Sequence, residues 1–103
     1  MIMNKYANDF TTIPTNIKEA ITKEIKESLD ATPIMICYLS NHPEDDYLFL
    51  YIAQENDGSY IAGLANTSRN GYVGLYENHY NCSFKQAMEI TMDKIKDLNK
   101  EEF

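Results

Sequence analysis

Tyr47-Leu48-Phe49-Leu50-Tyr51-Ile52-Ala53 is the stretch whose reading decides the fold of this chain. Seven consecutive apolar or aromatic residues between an acidic turn and a polar turn predict a strand buried on both faces. Successive side chains of a strand point to opposite faces, so Leu48, Leu50 and Ile52 share one face and Tyr47, Phe49 and Tyr51 the other.

A second two-sided apolar run precedes it, Ile34-Met35-Ile36-Cys37-Tyr38-Leu39, bounded by Pro33 and by Ser40-Asn41-His42-Pro43. The turn over residues 41–46 joins the two runs into a hairpin. On the other side, Glu55-Asn56-Asp57-Gly58 is a turn, because Asp-Gly supplies a positive φ at little steric cost. A third strand follows over residues 59–65. After Ser68-Arg69-Asn70-Gly71 comes a fourth, shorter strand over residues 72–76. Gly63 and Gly74 fall side by side if these arms pair, which calls for a bulge or for a group packed closely over the sheet. An aromatic ring or a helix is the expected cover, and a ligand the alternative.

Helices flank the strands. Ile17, Ala20, Ile21, Ile25 and Leu29 recur at three- and four-residue steps, with Lys18, Glu19, Lys23, Glu24, Lys26 and Glu27 on the wet face. This predicts a helix over Thr15–Leu29, capped by Thr15 and ended by residues 30–33. Ser83 with Gln86 forms a capping-box pattern, opening a last helix whose stripe is Phe84, Met88, Thr91, Ile95 and Leu98. Residues 1–12 are a loose lead-in and 100–103 a frayed tail. The expectation is one α+β domain over residues 1–103, ordered α-β-β-β-β-α: a four-stranded antiparallel meander with both helices packed on one face. The aliphatic set of the central strand then faces the helices, leaving an aromatic face. Eight tyrosines in 103 residues fit a protein interface there, since tyrosine joins apolar area to a polar tip. The competing reading is a second, minor core under the N-terminal segment.

Charge narrows the function classes. Of sixteen acidic residues, Glu27, Asp30, Glu44, Asp45, Asp46, Glu55 and Asp57 lie in residues 27–68, which hold no Lys or Arg. The other nine acidic residues balance all nine basic ones, so the net charge of −7 sits in the middle third. Such a field repels nucleic acid and attracts basic partners. With Arg69 the only arginine, no guanidinium cluster is present to grip phosphate. No run approaches the roughly 18 apolar residues of a membrane span. The N-terminus has no long apolar segment of a signal peptide, so a cytoplasmic location is expected.

Sites for chemistry are sparse. Cys82 precedes a helix N-terminus and His79 stands three residues earlier, which allows a Cys–His pair without an orienting third group. The alternative is a packed cysteine beside a surface histidine. His79, Cys82, His42 and Cys37 show only a lone H-x-x-C, so no metal site is expected. His42-Pro43-Glu44-Asp45-Asp46 lacks the EF-hand pattern, and a solvated acidic turn is the plainer reading. Phosphate-cradling motifs are absent and no cofactor is expected. The element order resembles that of double-stranded-RNA-binding domains. Only Lys85 stands where those place their lysines, so direct nucleic-acid binding is not expected.

Asp57-Gly58-Ser59-Tyr60 followed by Ser83-Phe84-Lys85-Gln86-Ala87 resembles the spacing in HicB-type antitoxins, over about 40 residues. That resemblance implies a toxin-binding interaction module. In size, element order and acidic segment the chain also resembles small acidic inhibitors of phages and mobile elements, including type II anti-CRISPR proteins. This resemblance implies carboxylates occupying a DNA-binding cleft. The expected function is therefore a non-enzymatic protein-binding domain that blocks a basic, nucleic-acid-handling protein, in the manner of anti-CRISPR or anti-restriction inhibitors. Glu44, Asp45, Asp46, Glu55 and Asp57 would meet the partner's cations, and Tyr47, Tyr51, Tyr60 and Tyr76 would supply anchor area. A homodimeric or antitoxin-like assembly module is the alternative. A small-ligand binder or enzyme using Gly63, Gly74, His79 and Cys82 is the third reading.

Overall fold

The fold follows from a computed structural model, which describes residues 15–41, 47–67 and 72–101. The elements run α1 (Thr15–Leu29), β1 (Ala31–Asn41), β2 (Tyr47–Glu55), β3 (Tyr60–Thr67), β4 (Val73–Cys82) and α2 (Phe84–Glu101). The four strands form one antiparallel sheet in chain order, β1-β2-β3-β4. This is the expected α-β-β-β-β-α meander, and α1 has the predicted bounds. The predicted lead-in, residues 1–12, lies outside the described residues, while α2 continues through Glu101 into the predicted tail.

Local chemistry explains the joints. Asp30 leaves α1 with φ 53°, a left-handed conformation that a short polar side chain tolerates. Gly58 holds φ 92° in the β2–β3 turn, where the Glu55 amide bonds the Ser59 carbonyl at 2.8 Å. Ser83 and Gln86 complete the capping box: Ser83 Oγ accepts from the Gln86 amide at 3.1 Å and Gln86 Oε1 accepts from the Ser83 amide at 2.8 Å.

The helices lie on opposite faces of the sheet, which corrects the expected one-face packing. Ile17, Ile21 and Ile25 of α1 pack against Tyr38, Phe49, Tyr51, Ala53, Ile61 and Ala65. From α2, Ile95 packs against Cys37, Leu48, Leu50 and Leu64. Nearer its start, Ala87, Met88 and Ile90 pack with Ile52, Ala62 and Cys82. The alternation of β2 thus feeds its aromatic set to α1 and its aliphatic set to α2. A strand apolar on both faces needs a cover on each, and a single layer of helices would leave one set in water. The aromatic face is a core: Phe49 and Tyr51 are 0 % exposed.

The inner pair, β2 and β3, is in unbroken register from Tyr47↔Thr67 to Gln54↔Tyr60. All register shifts fall on the outer strands. β1 shifts between Pro33 and Met35 and between Tyr38 and Ser40. β4 sets Tyr76 against Leu64, His79 against Ala62 and Cys82 against Tyr60, so it carries one extra residue in each of two intervals. Glu77 (φ 53°) and Asn81 (φ 58°) occupy those intervals in left-handed conformations, as in bulges. β4 is also twice the expected length. Its second half escapes sequence reading because bulges destroy period-two alternation.

Candidate functional site

Among the expected contact residues, Glu44, Asp45 and Asp46 lie outside the described residues. Glu55 and Asp57 flank the β2–β3 turn, both within reach of the Ser59 hydroxyl. Ser59 Oγ donates to Asp57 Oδ1 at 2.7 Å and lies 3.0 Å from Glu55 Oε2. The Ser59 amide donates to Asp57 at 2.9 Å. The Ser59 hydroxyl, and then its amide, hold the Asp57 carboxyl below the usual carboxylate range. Asn56 Nδ2 donates to Asp30 Oδ2 at 3.2 Å, so the end of α1 adds a carboxylate to this pole of the molecule. Asp30 is a member of the acidic pole that sequence order alone hides, because 26 residues separate it from Asn56.

The four expected tyrosines disperse. Tyr51 is fully buried beneath α1, and cannot anchor a partner. Tyr47 is half-buried, its ring 6.2 Å from that of Tyr38 on the α1 face. Tyr60 is half-buried on the opposite face, its ring 5.2 Å from Phe84 in an edge-on arrangement. Tyr76 is 38 % exposed on β4. Exposed aromatic area is concentrated instead along β4 and its approach, where Tyr72 is 75 % and Tyr80 50 % exposed.

Gly63 explains how Tyr51 is held. The two residues are direct cross-strand partners, and the ring lies over the glycine. A Cβ at Gly63 would stand 2.5 Å from Asn78 Oδ1, 2.8 Å from Tyr51 Cε1 and 2.9 Å from the Tyr51 oxygen. The phenol donates to Asn78 Oδ1 at 2.5 Å. Burial, and then the neighbouring Tyr80, raise the Tyr51 pKa far above its ordinary value. An aromatic ring, rather than a ligand, is therefore what covers Gly63. Gly74 stands apart from it, opposite Asn66.

Cys82 is buried among Ile52, Ala62 and Ala87. Its thiol donates toward the His79 carbonyl at 3.5 Å and the Tyr80 carbonyl at 3.7 Å, not toward the imidazole. Among the described residues no three His, Cys, Asp or Glu side chains converge as metal ligands. A pocket of about 20 Å³ beneath α2, bordered by Leu50, Gly63, His79 and Thr91, has room for one water.

An open groove of about 640 Å³ lies between β4 and α2. His79, Tyr80 and Asn81 form one wall, and Gln86, Glu89 and Asp93 the other. Glu77, bordering the small pocket beneath α2, is neutralised by Lys94 at 2.7 Å. Glu89 and Asp93 make no ion pair among the described residues. Sequence reasoning missed this groove, although one sign was present: Glu89 and Asp93 are like charges at i,i+4, an arrangement that costs a free helix stability. Among the described residues no helix is long and apolar enough to cross a membrane. No family model matches the chain, and neither a curated protein nor a solved structure shows significant similarity to it.

Proposed function

We propose that this is a non-enzymatic protein-binding domain that occupies the basic surface of a nucleic-acid-handling protein, as small inhibitors of phages and mobile elements do. The observation that carries the reading is the acidic pole at the β2–β3 turn. Asp30, Glu55 and Asp57 meet there through the Asn56–Asp30 hydrogen bond, in a segment from residue 27 to 68 without a single Lys or Arg. Ser59 holds Asp57 through both its hydroxyl and its amide, and a group held in place loses less side-chain freedom when a partner docks. An acidic surface of this kind attracts basic proteins at long range and repels nucleic acid.

The test is capture of partners by the tagged chain from a nuclease-treated lysate, beside an Asp30→Lys/Asp57→Lys variant. The expected result is one dominant basic protein, released by high salt, lost with the variant, and inhibited in its own nucleic-acid binding when the chain is added. Recovery of the chain alone would shift the reading to self-assembly through the tyrosines of β4. A captured partner with no salt dependence would remove the electrostatic mechanism.

A further inference from the structure

We infer that the groove between β4 and α2 is where an extended, arginine-bearing segment of a basic protein docks, its guanidinium engaging Glu89 and Asp93 and stacking against Tyr80. The inference rests on the reading of the domain as a binder of basic proteins, and places one contact of that partner.

Charge complementarity selects the occupant. Both acids lining the groove, Glu89 and Asp93, stand on α2 and make no ion pair among the described residues, while nearby Glu77 is paired with Lys94. Lys85 and Lys96 lie on the outer flank of the Glu89–Asp93 row and pair with neither carboxylate. The opposite edge of the sheet differs. Its groove, beside β1, is lined by Lys18 and Lys26 with exposed Ile34, and would repel the same segment.

Shape and chemistry favour arginine over a metal ion or a bare ammonium. The groove's acids and His79 do not converge as a metal-ligand group. A planar guanidinium can bridge separated carboxylates through its forked donors and lie flat on an aromatic ring. Half-exposed Tyr80 and the amides of Asn81 and Gln86 supply such surroundings. Recognition runs through side chains rather than strand addition, because the bulges at Glu77 and Asn81 interrupt the β4 edge that a paired strand would follow. A second copy is a poor occupant. Two copies meeting at β4 about a two-fold axis would bring their Glu89–Asp93 rows together.

The experiment titrates the full, nitrogen-15-labelled chain with nona-arginine at low salt and follows the backbone amides. Shifts should concentrate at residues 78–82 and 86–93. Glu89→Gln/Asp93→Asn should weaken the peptide about tenfold or more, and Tyr80→Ala by a smaller factor. The control Glu19→Gln/Glu24→Gln removes the same charge from α1, on the opposite face of the sheet, and should change affinity less than about twofold. Equal losses in the two double variants would show attraction by bulk charge and overturn the groove. Shifts confined to Asp30, Glu55 and Asp57 would also overturn it, while leaving the basic-partner reading intact. Absence of saturable nona-arginine binding would overturn the groove as well, and partner capture then decides the broader reading separately.

Discussion

The two faces of the sheet bury apolar surface in different ways. Under α1 the contacts are large and interlocking: three isoleucines against Phe49 and Tyr51, with Tyr38 packed on Phe49 at 5.2 Å between ring centres. One polar pair is partly buried there, the Tyr51 phenol with Asn78. Under α2 the contacts are smaller. Ala62, Ala87 and Cys82 bring helix and sheet close, Thr91 Oγ1 satisfies itself on the Ala87 carbonyl at 2.9 Å, and the rim is an ion pair. Phe84 and Met92 of this helix remain about half exposed. The lesson is a division of labour. The α1 face carries packing that cannot be loosened locally, and the α2 face leaves surface for contacts outside the chain.

Substitutions can break that contrast, beginning with the largest effect. Phe49→Ala should cost about 4 kcal/mol in a denaturant titration, against about 1–2 kcal/mol for half-buried Ile95→Ala on the other face. Equal losses would mean that the two faces are equivalent. Gly63→Ala should cost about 2 kcal/mol, because the added Cβ meets both the buried Tyr51 ring and the Asn78 amide bonded to its phenol. An unchanged midpoint would show that the Tyr51 ring is free to move.

The phenol sharpens the contrast through pH. The Tyr51 pKa is raised in the folded state, so its contribution is complete below the unfolded value of about 10 and is lost as pH climbs above it. Thermal unfolding followed from pH 8 to 11 should therefore show a steeper alkaline decline in the parent than in Tyr51→Phe, and parallel curves would refute this. The smallest effect belongs to the α2 rim. Lys94→Met should change stability by about 0.5 kcal/mol or less, since Glu77 is about half exposed and solvent screens the pair. A loss above about 1.5 kcal/mol would promote this ion pair to a structural role.

Much of the fold was legible because local signals agreed. The helix stripe from Ile17 to Leu29, the Asp57-Gly58 turn and the Ser83–Gln86 box each specify one conformation, and the structure contains all three. The side taken by each helix was not read correctly, although the two-sided apolar run of β2 carried the information. Six buried residues in succession, Leu48 to Ala53, leave no face for water, so the aromatic set demanded its own helix. The end of β4 was illegible for a different reason. Glu77, Asn78, His79, Tyr80 and Asn81 show no alternation because two of them lie in left-handed conformations. The same irregularity hid the groove, whose walls come from a strand end and a helix face that sequence alone does not set side by side. Three of the five expected acidic contact residues, Glu44 to Asp46, fall outside the described residues.

The confinement of register shifts to the outer strands also bears on how this gene can change length. Loss of one codon within β2 would exchange the aromatic and aliphatic sets between the two helices, and no repacking of neighbours could absorb it. Loss of the codon for Glu77 or Asn81 would instead convert a bulge into regular pairing, with the residues beyond it returning to the partners they have now. Indels should therefore survive in β4 and be purged from β2 and β3. The groove wall would then be the part of this protein free to diverge as its partner does.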